Sequence, residues 1–275
     1  MVPAAAIGFG VTVEQGVGPV IAQPFTSRGD LDRLRPLDPA QDTPYVIETV
    51  RRLVDQLTVP LIGFAGAPFT VASYLCEGGP SKSHARTKAL MLGDPDLFGA
   101  LLDRLADLAI ASITSQVNAG ASAAQLFDSW AGTLSVDHYR CHVLPHSTKV
   151  FDAIRDLGVP TIHFGVGTGE LLASMADAGP DVVGVDWRVP LDQARTRVGS
   201  RPVQGNLDPA ACLAPWSVVE DEVRRVLAAN AGRVGHVFNL GHGVLPETDP
   251  TVLTRVVELV HDEGRTAADA AANRS

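Results

Sequence analysis

From about residue 43 onward, short apolar runs alternate with longer stretches whose apolar residues recur every three or four positions. The short runs predict strands, and the longer stretches predict amphipathic helices that bury one face. Six strands are predicted in this way, near residues 60, 125, 162, 184, 203 and 238, and each is followed by a helix. Strands that alternate with helices indicate a parallel sheet with right-handed crossovers.

Several local features refine this outline. The first forty residues show no helical period, and the segment Val17–Ile21 there is compatible with a short edge strand or with an arm across a surface. Single helices are predicted over residues 96–119 and 137–157. Ser217 and Glu220 have the spacing of a capping box at the start of a later helix. Three polar residues are expected to cap helices: Thr168, Asp208 and Asp249.

The stretch from Leu61 to Pro80, LIGFAGAPFTVASYLCEGGP, combines a strand signal with a polar cluster. The run from Val59 to Phe64 predicts a buried strand, and the following glycines and proline let the backbone turn close to a ligand. A helical turn then presents polar side chains at the carboxyl end of that strand: Thr70, Ser73, Tyr74 and Glu77. This arrangement is typical of a ligand site on an α/β scaffold, although a helix packed tightly on a sheet has a similar glycine-rich exit.

The amino-acid composition indicates the fold class and the cellular compartment of the protein. Of the 275 residues, 45% are hydrophobic but only 5% aromatic, so the core is aliphatic, as in a parallel sheet covered by helices. The net charge of −9 disfavours nucleic acid or an anionic membrane as a partner. Three cysteines without a C-x-x-C pair favour a reducing compartment, and no signal peptide or long apolar run is present. We therefore predict a soluble cytoplasmic protein with one domain over residues 1–275.

Two α/β architectures fit the pattern, the doubly wound sheet and the (β/α)8 barrel. The glycine fingerprint of the first is not matched, because Gly165, Gly167 and Gly169 have the wrong spacing. A closed barrel of this type has eight strands, whereas the pattern supplies six. The pattern alone leaves both architectures open.

Polar side chains that could carry chemistry follow the predicted strands. Tyr74 follows the first strand, Ser129 the second and His242 the last, and in a barrel all three lie at one face. Tyr74 could equally be a core tyrosine, and a lone histidine such as His242 is often structural. Ser129 lacks the G-x-S-x-G elbow of a hydrolase nucleophile. Gly165 stands where a zinc-binding H-x-C pair starting at His163 would have cysteine, so metal chemistry is disfavoured.

The sequence resembles the uroporphyrinogen decarboxylase family through six segments that occur in the family's order and span most of the chain. Each segment alone is weak, whereas six with consistent spacing are specific. They are GFAGAPFTVASYLCEGG (63–79), QLFDSWAG (125–132), HFGVGTGELL (163–172), GVDWRVPL (184–191), QGNLDPA (204–210) and NLGHGVLPETDP (239–250).

The resemblance implies a (β/α)8 TIM barrel that forms a homodimer and works without metal or organic cofactor. It implies an enzyme that removes carbon dioxide from the four acetate side chains of uroporphyrinogen III, giving coproporphyrinogen III for haem biosynthesis. Carried over residue by residue, the family's substrate-binding tyrosine, small hydroxyl residue and histidine correspond to Tyr74, Ser129 and His242.

The resemblance breaks at the amino end. The family carries an Arg-Gln-Ala-Gly-Arg segment, whose arginines bind substrate carboxylates, and a Phe-Ser-Asp-Ile-like segment, whose aspartate faces the pyrrole N–H groups. This sequence has neither, and the segment from Met1 to Val20 resembles the family's segment directly after that aspartate. We therefore expect a barrel without its first two strands, with the catalytic aspartate upstream of Met1 and no catalytic residue retained. We also expect residues 1–275 alone to be poorly stable and inactive as a decarboxylase.

Two alternatives of other classes stay open. A zinc- or corrinoid-dependent methyltransferase would share the barrel, but the glycine at position 165 argues against a zinc–thiolate site. A non-catalytic tetrapyrrole-binding protein would keep the substrate mouth without turnover. Zinc analysis would test the first alternative, and porphyrin binding without turnover would favour the second.

Overall fold

The computed structural model describes residues 1–16 and 18–272, with side chains described to residue 264. Within these residues the strands form a two-stranded hairpin and a six-stranded sheet. In chain order the strands are β1 (Val11–Glu14), β2 (Gly18–Ile21), β3 (Ile62–Gly66), β4 (Ala123–Asp128), β5 (Thr161–Gly165), β6 (Val182–Gly184), β7 (Val203–Gln204) and β8 (His236–Val237).

The α-helices alternate with the strands of the larger sheet in the usual βα order. They are α1 (Val2–Ala6), α2 (Pro39–Asp42), α3 (Pro44–Gln56), α4 (Pro68–Glu77), α5 (Ala85–Gly93), α6 (Pro95–Asn118), α7 (Val136–His142), α8 (Leu144–Ile154), α9 (Leu172–Asp177), α10 (Leu191–Val198), α11 (Trp216–Asn230) and α12 (Pro250–Ala272). Across the described residues, none of these helices is long and apolar enough to cross a membrane.

The six predicted strand-then-helix units are confirmed. Strands β3 to β8 are parallel, and each pairs with the next along the chain. The fold is therefore α/β, with its parallel strands in the sequential order of a TIM barrel. Because parallel strands share one direction, their carboxyl ends meet at the same edge of the sheet, and the loops that follow them form one rim.

The prediction of a fully buried first strand is wrong. Val59 precedes β3 and is 64% exposed, while Phe64 within the strand is 60% exposed. Gly63 and Ala65 alternate with these residues and are buried. The reason is that β3 pairs only with β4 among the described strands, so its other edge and one of its faces meet solvent.

The helix predicted over residues 137–157 is two helices. α7 ends at His142 and α8 begins at Leu144, with Pro145 in the first turn of α8. Proline has no backbone N–H to donate, and its ring displaces the carbonyl four residues earlier, so one continuous helix is excluded. The long helix predicted over residues 96–119 is confirmed as α6.

Two of the three predicted helix caps are confirmed. Asp208 Oδ1 accepts the Ala210 N–H at 2.9 Å, and Asp249 Oδ1 accepts the Thr251 N–H at 2.9 Å, so both predicted caps are confirmed. Thr168 makes no side-chain cap, because its buried side chain packs against Gly165 instead.

The capping box predicted from Ser217 and Glu220 is also wrong. The N-cap of α11 is Pro215, so Ser217 already lies inside the first turn of the helix. Glu220 instead accepts from the Arg224 guanidinium at 2.6 Å, four residues along the same helix.

The amino-terminal residues are more ordered than their sequence indicated. A one-turn helix, α1, is too short to show a period, and the β1–β2 hairpin follows it. Gly18–Ile21 forms a strand, one of the two possibilities for this segment, while Val17 lies outside the described residues. The hairpin is anchored to α4, since the Ile21 N–H donates to the Gly78 carbonyl at 2.9 Å.

Candidate substrate site at the carboxyl ends of the strands

The segment after β4 is held by the first turn of α4. The Thr70 hydroxyl donates to Asp128 Oδ1 at 3.0 Å and accepts the Trp130 backbone N–H at 3.2 Å. Asp128 is the last residue of β4, so Ser129 lies between the two anchored residues and is half-buried at the rim. Gly132 follows, and a Cβ there would collide with the backbone of residues 166–167 in the loop after β5.

Tyr74 lies one helical turn after Thr70 on the same side of α4, which directs it towards the same segment. Its ring meets the Trp130 ring edge-on, with centroids 5.9 Å apart. Burial raises the pKa of Tyr74 above its ordinary value, and Trp130 opposes part of the rise. The phenol therefore keeps its proton at neutral pH and can donate a hydrogen bond to a substrate carboxylate.

A buried histidine completes the surroundings of Trp130. The His84 ring lies 5.2 Å from the Trp130 ring, and His84 has the left-handed backbone value φ = 49°. Burial lowers the pKa of His84, Glu77 opposes that change, and Lys88 adds to it. Glu77, predicted to face the ligand mouth, instead accepts the backbone N–H and hydroxyl of Thr87 at 2.9 Å each.

His242 belongs to a second group, built on the loops after β6 and β8. It is exposed, its Nδ1 accepts the Gly243 N–H at 2.6 Å, and its ring lies 6.1 Å from the Trp187 ring. The Arg188 guanidinium stacks on Trp187 at 3.9 Å and donates to Asp186 Oδ2 at 2.6 Å. The Trp187 indole thus lies next to both an imidazole and a guanidinium, two groups that bind carboxylates.

The two groups belong to one rim. Gly132 in the loop after β4 packs against the Val166–Gly167 segment, and the Gly167 N–H donates to Asp186 Oδ2 at 2.5 Å. Asp186 precedes Trp187 directly, so contacts run from the Tyr74 group to the His242 group. The structure packs Tyr74 on the Trp130 ring, directly after Ser129 in the chain, and places His242 beside the Trp187 ring. That all three line a single cleft stays a prediction.

Asp128 and Trp187 follow predicted strands in the sequence, but no individual role was predicted for them or for Trp130. Trp130 and Trp187 each organise one group, and their position beside Ser129 and Arg188 in an aromatic-poor chain was an available signal. A carboxylate ending a buried strand, as Asp128 does, needs a partner, which also could have been anticipated. No local signal points to His84, because it reaches Trp130 only through the tertiary fold.

One known protein family matches almost the whole chain. Residues 1–263 match the sequence profile of the family described as uroporphyrinogen decarboxylase (URO-D). The chain belongs to the uroporphyrinogen decarboxylase family.

Curated relatives agree with this assignment. The chain is 62% identical over 264 residues to the uroporphyrinogen decarboxylase of Salinispora tropica, covering 95% of this chain and 71% of the relative. It is 59% identical over 265 residues to the enzyme of the same name from Streptomyces griseus, covering 96% of this chain and 72% of that one.

Similar solved structures support the fold alone. A methyltransferase from Methanosarcina mazei aligns with a TM-score of 0.76 at 19% identity, over 95% of this chain and 77% of that structure. A B12-independent methionine synthase from Shewanella aligns with a TM-score of 0.58 at 14% identity, over 92% of this chain and 74% of that structure. At such identities the shared barrel-type fold carries no information about chemistry.

Proposed function

We propose that this chain acts in the decarboxylation of the four acetate side chains of uroporphyrinogen III, giving coproporphyrinogen III in haem biosynthesis, and that residues 1–275 alone do so at a low rate. The observation that carries the proposal is the Tyr74–Trp130–Ser129 group at the carboxyl ends of β3 and β4, in a chain of this family. We assign substrate binding to Tyr74, Ser129 and His242.

The side chains at the rim fit a substrate that carries carboxylates. The hydroxyls of Tyr74 and Ser129 supply neutral hydrogen-bond donors, and Arg188 supplies a positive charge beside His242. Charge-assisted hydrogen bonds to carboxylates are shorter and stronger than neutral ones. Arg188 is already paired with Asp186 Oδ2, but its side chain is 50% exposed, so its other N–H groups can reach a carboxylate.

The chemical step transfers an electron pair from the acetate group to the pyrrole ring. The pyrrole is first protonated, the bond between the methylene carbon and the carboxylate carbon breaks, and its electron pair moves into the ring. Carbon dioxide leaves, a proton adds to the exocyclic methylene carbon to give a methyl group, and the ring then loses the proton that it first gained. An imidazole such as that of His242 can hold a carboxylate or carry a proton at neutral pH.

We also propose that the protein is cytoplasmic, forms a homodimer and needs no cofactor. Three cysteines without a paired motif support the reducing compartment. Size-exclusion chromatography with light scattering tests the dimer, and fractionation of the source cells tests the compartment.

Zinc-dependent methyl transfer receives no support from the site. Among the side chains described, no group of three or more His, Cys, Asp or Glu is placed to hold a metal ion. A non-catalytic tetrapyrrole-binding protein is the remaining alternative, and it predicts binding without turnover.

The deciding experiment is an anaerobic assay with uroporphyrinogen III, in which chromatography separates the partly decarboxylated intermediates from coproporphyrinogen. The Salinispora tropica relative serves as the reference enzyme. The chain is compared with its Tyr74→Phe and Ser129→Ala variants, and binding is measured in parallel with uroporphyrin I, an oxidised octacarboxylate. Binding that neither substitution weakens would contradict the assigned site. Stoichiometric zinc in the purified protein would overturn the proposed chemistry.

A further inference from the structure

Four buried polar atoms meet behind the rim without a direct hydrogen-bond partner among the described residues. They are Asp128 Oδ2, the Tyr139 hydroxyl, Ser147 Oγ and His163 Nε2. All four side chains are fully buried, and they come from β4, α7, α8 and β5. Since buried polar groups are normally paired, a cluster of this kind calls for a physical explanation.

The contacts inside this cluster converge on the Asp128 carboxylate. His163 Nε2 lies 3.7 Å from Asp128 Oδ2, and His163 Nδ1 lies 3.3 Å from the Met175 carbonyl oxygen. Burial raises the pKa of Tyr139 well above its ordinary value, the Asp128 carboxylate raises it further, and Ser147 opposes the rise. Tyr139 therefore keeps its proton and remains a hydrogen-bond donor. It lies close enough to the Asp128 carboxylate to interact with it electrostatically.

The other carboxylate oxygen of Asp128 faces the rim. Asp128 Oδ1 accepts from the Thr70 hydroxyl, which in turn accepts the N–H of Trp130. Ser129 is the residue between Asp128 and Trp130, and the Trp130 ring is the surface on which Tyr74 packs. One carboxylate thus connects the buried cluster to both proposed substrate-binding hydroxyls.

We propose that Asp128 is a positioning residue for the substrate site, acting through Thr70 to hold Ser129 and Trp130 at the rim. On the buried side, His163 Nε2 lies 3.7 Å from the carboxylate. Asp128 itself has no exposed surface, so it acts through Thr70 rather than by touching substrate. The proposal rests on the proposed function in that Ser129 and Tyr74 are taken as substrate ligands.

The chain contains a matched control for this threonine. The Thr161 hydroxyl donates to Asp181 Oδ2 at 2.8 Å and accepts the Asp181 backbone N–H at 3.1 Å. Thr70 has the same pattern of one donation to an aspartate and one acceptance from a backbone N–H. Thr161 begins β5, so its pair lies at the amino end of the strands, away from the rim.

The experiment compares Thr70→Val, Thr70→Ser and Thr161→Val. The melting temperature and the dissociation constant of uroporphyrin I are measured for each protein with all three tryptophans in place. Acrylamide quenching of Trp130 fluorescence is measured separately, in a Trp187→Phe, Trp216→Phe background. We expect Thr70→Val to weaken binding about tenfold and to increase quenching of Trp130, because two hydrogen bonds are lost. Thr70→Ser should restore both readouts, whereas Thr161→Val should lower only the melting temperature.

Equal binding and equal quenching in Thr70→Val and Thr161→Val would overturn the positioning role. If the unsubstituted chain binds no uroporphyrin, the proposed function fails, and the quenching of Trp130 still decides whether Thr70 and Asp128 position the segment. Asp128→Leu, which keeps the branched shape of the side chain but removes both acceptor oxygens, should match Thr70→Val in quenching. A quenching value unchanged from the parent in Asp128→Leu would contradict the proposal.

Discussion

At the residue scale, an arginine stacked on a tryptophan occurs at two places with different surroundings. Arg188 stacks on Trp187 beside His242 at the rim, and Arg255 stacks on Trp216 at 3.7 Å between α12 and α11. Stacking holds a guanidinium in place while its edge stays available for a carboxylate. Comparing Arg188 with Arg255 therefore separates the effect of stacking on binding from the effect of location in the fold.

We expect Arg188→Gln to weaken binding of uroporphyrin I roughly tenfold, because a charge-assisted contact to a carboxylate is removed. Fluorescence titration of the 275-residue chain measures the dissociation constant. Arg255→Gln removes the same charge from the same kind of stack and should leave binding unchanged. Similar losses in both variants would mean that net charge, and not a contact at the rim, controls binding.

A second prediction at this scale concerns His242. His242→Asn keeps hydrogen-bonding capacity but removes the imidazole that could carry a proton. We expect kcat to fall by roughly 10²–10⁴-fold if the imidazole carries the proton to the product carbon. A rise confined to KM would assign carboxylate binding alone. Unchanged kcat and KM would refute both roles.

At the element scale, the free edge of β3 is partly covered by a side chain. Gln116 of α6 accepts the Phe64 N–H at 3.0 Å and donates to the Phe64 carbonyl at 2.9 Å. The amide of Gln116 thus pairs with edge backbone groups as a neighbouring strand would. The Phe64 ring remains mostly exposed and meets only the Phe127 ring, at 5.6 Å, among the aromatic contacts described. An exposed strand edge with apolar side chains invites edge-to-edge association.

We expect Phe64→Lys to reduce self-association of the chain, because a charge on an exposed edge opposes strand pairing. Static light scattering during heating measures association. Val257→Lys is the control, since Val257 is also exposed but lies on the helix α12. An equal decrease for both substitutions would attribute the effect to general solubility and not to the edge of β3.

At the scale of the whole molecule, β3 and β8 each have one strand neighbour within the described sheet, so this arc of parallel strands has two free edges. No segment of the sequence matches the family's two further motifs, which carry the clamp arginines and the central aspartate. Both observations therefore predict low decarboxylase activity for residues 1–275 alone.

We expect the 275-residue chain to decarboxylate uroporphyrinogen at least about 10²–10³-fold more slowly than the Salinispora tropica relative, since a positioned electrostatic stabiliser contributes about that much. The measurement is the rate of coproporphyrinogen formation at equal protein concentration. A rate comparable to that of the relative would show that the catalytic centre is assigned wrongly.

The sequence by itself determined the alternation of strands and helices, the boundaries of α6 and the caps at Asp208 and Asp249. These features depend on periodicity and on contacts within a few residues, and both can be read along the chain. The family motifs likewise marked Tyr74, Ser129 and His242 from the sequence alone.

Only the tertiary structure decided which face of β3 is exposed, how Thr70 joins Asp128 and Trp130, and which side chains share Trp187. The Thr70–Asp128 bond spans 58 residues of chain, and its existence depends on how α4 docks beside β4. Burial likewise depends on which strands are present as neighbours, and an apolar run cannot specify that by itself. Local pattern selects the elements, and the packing of distant elements selects the partners of each functional side chain.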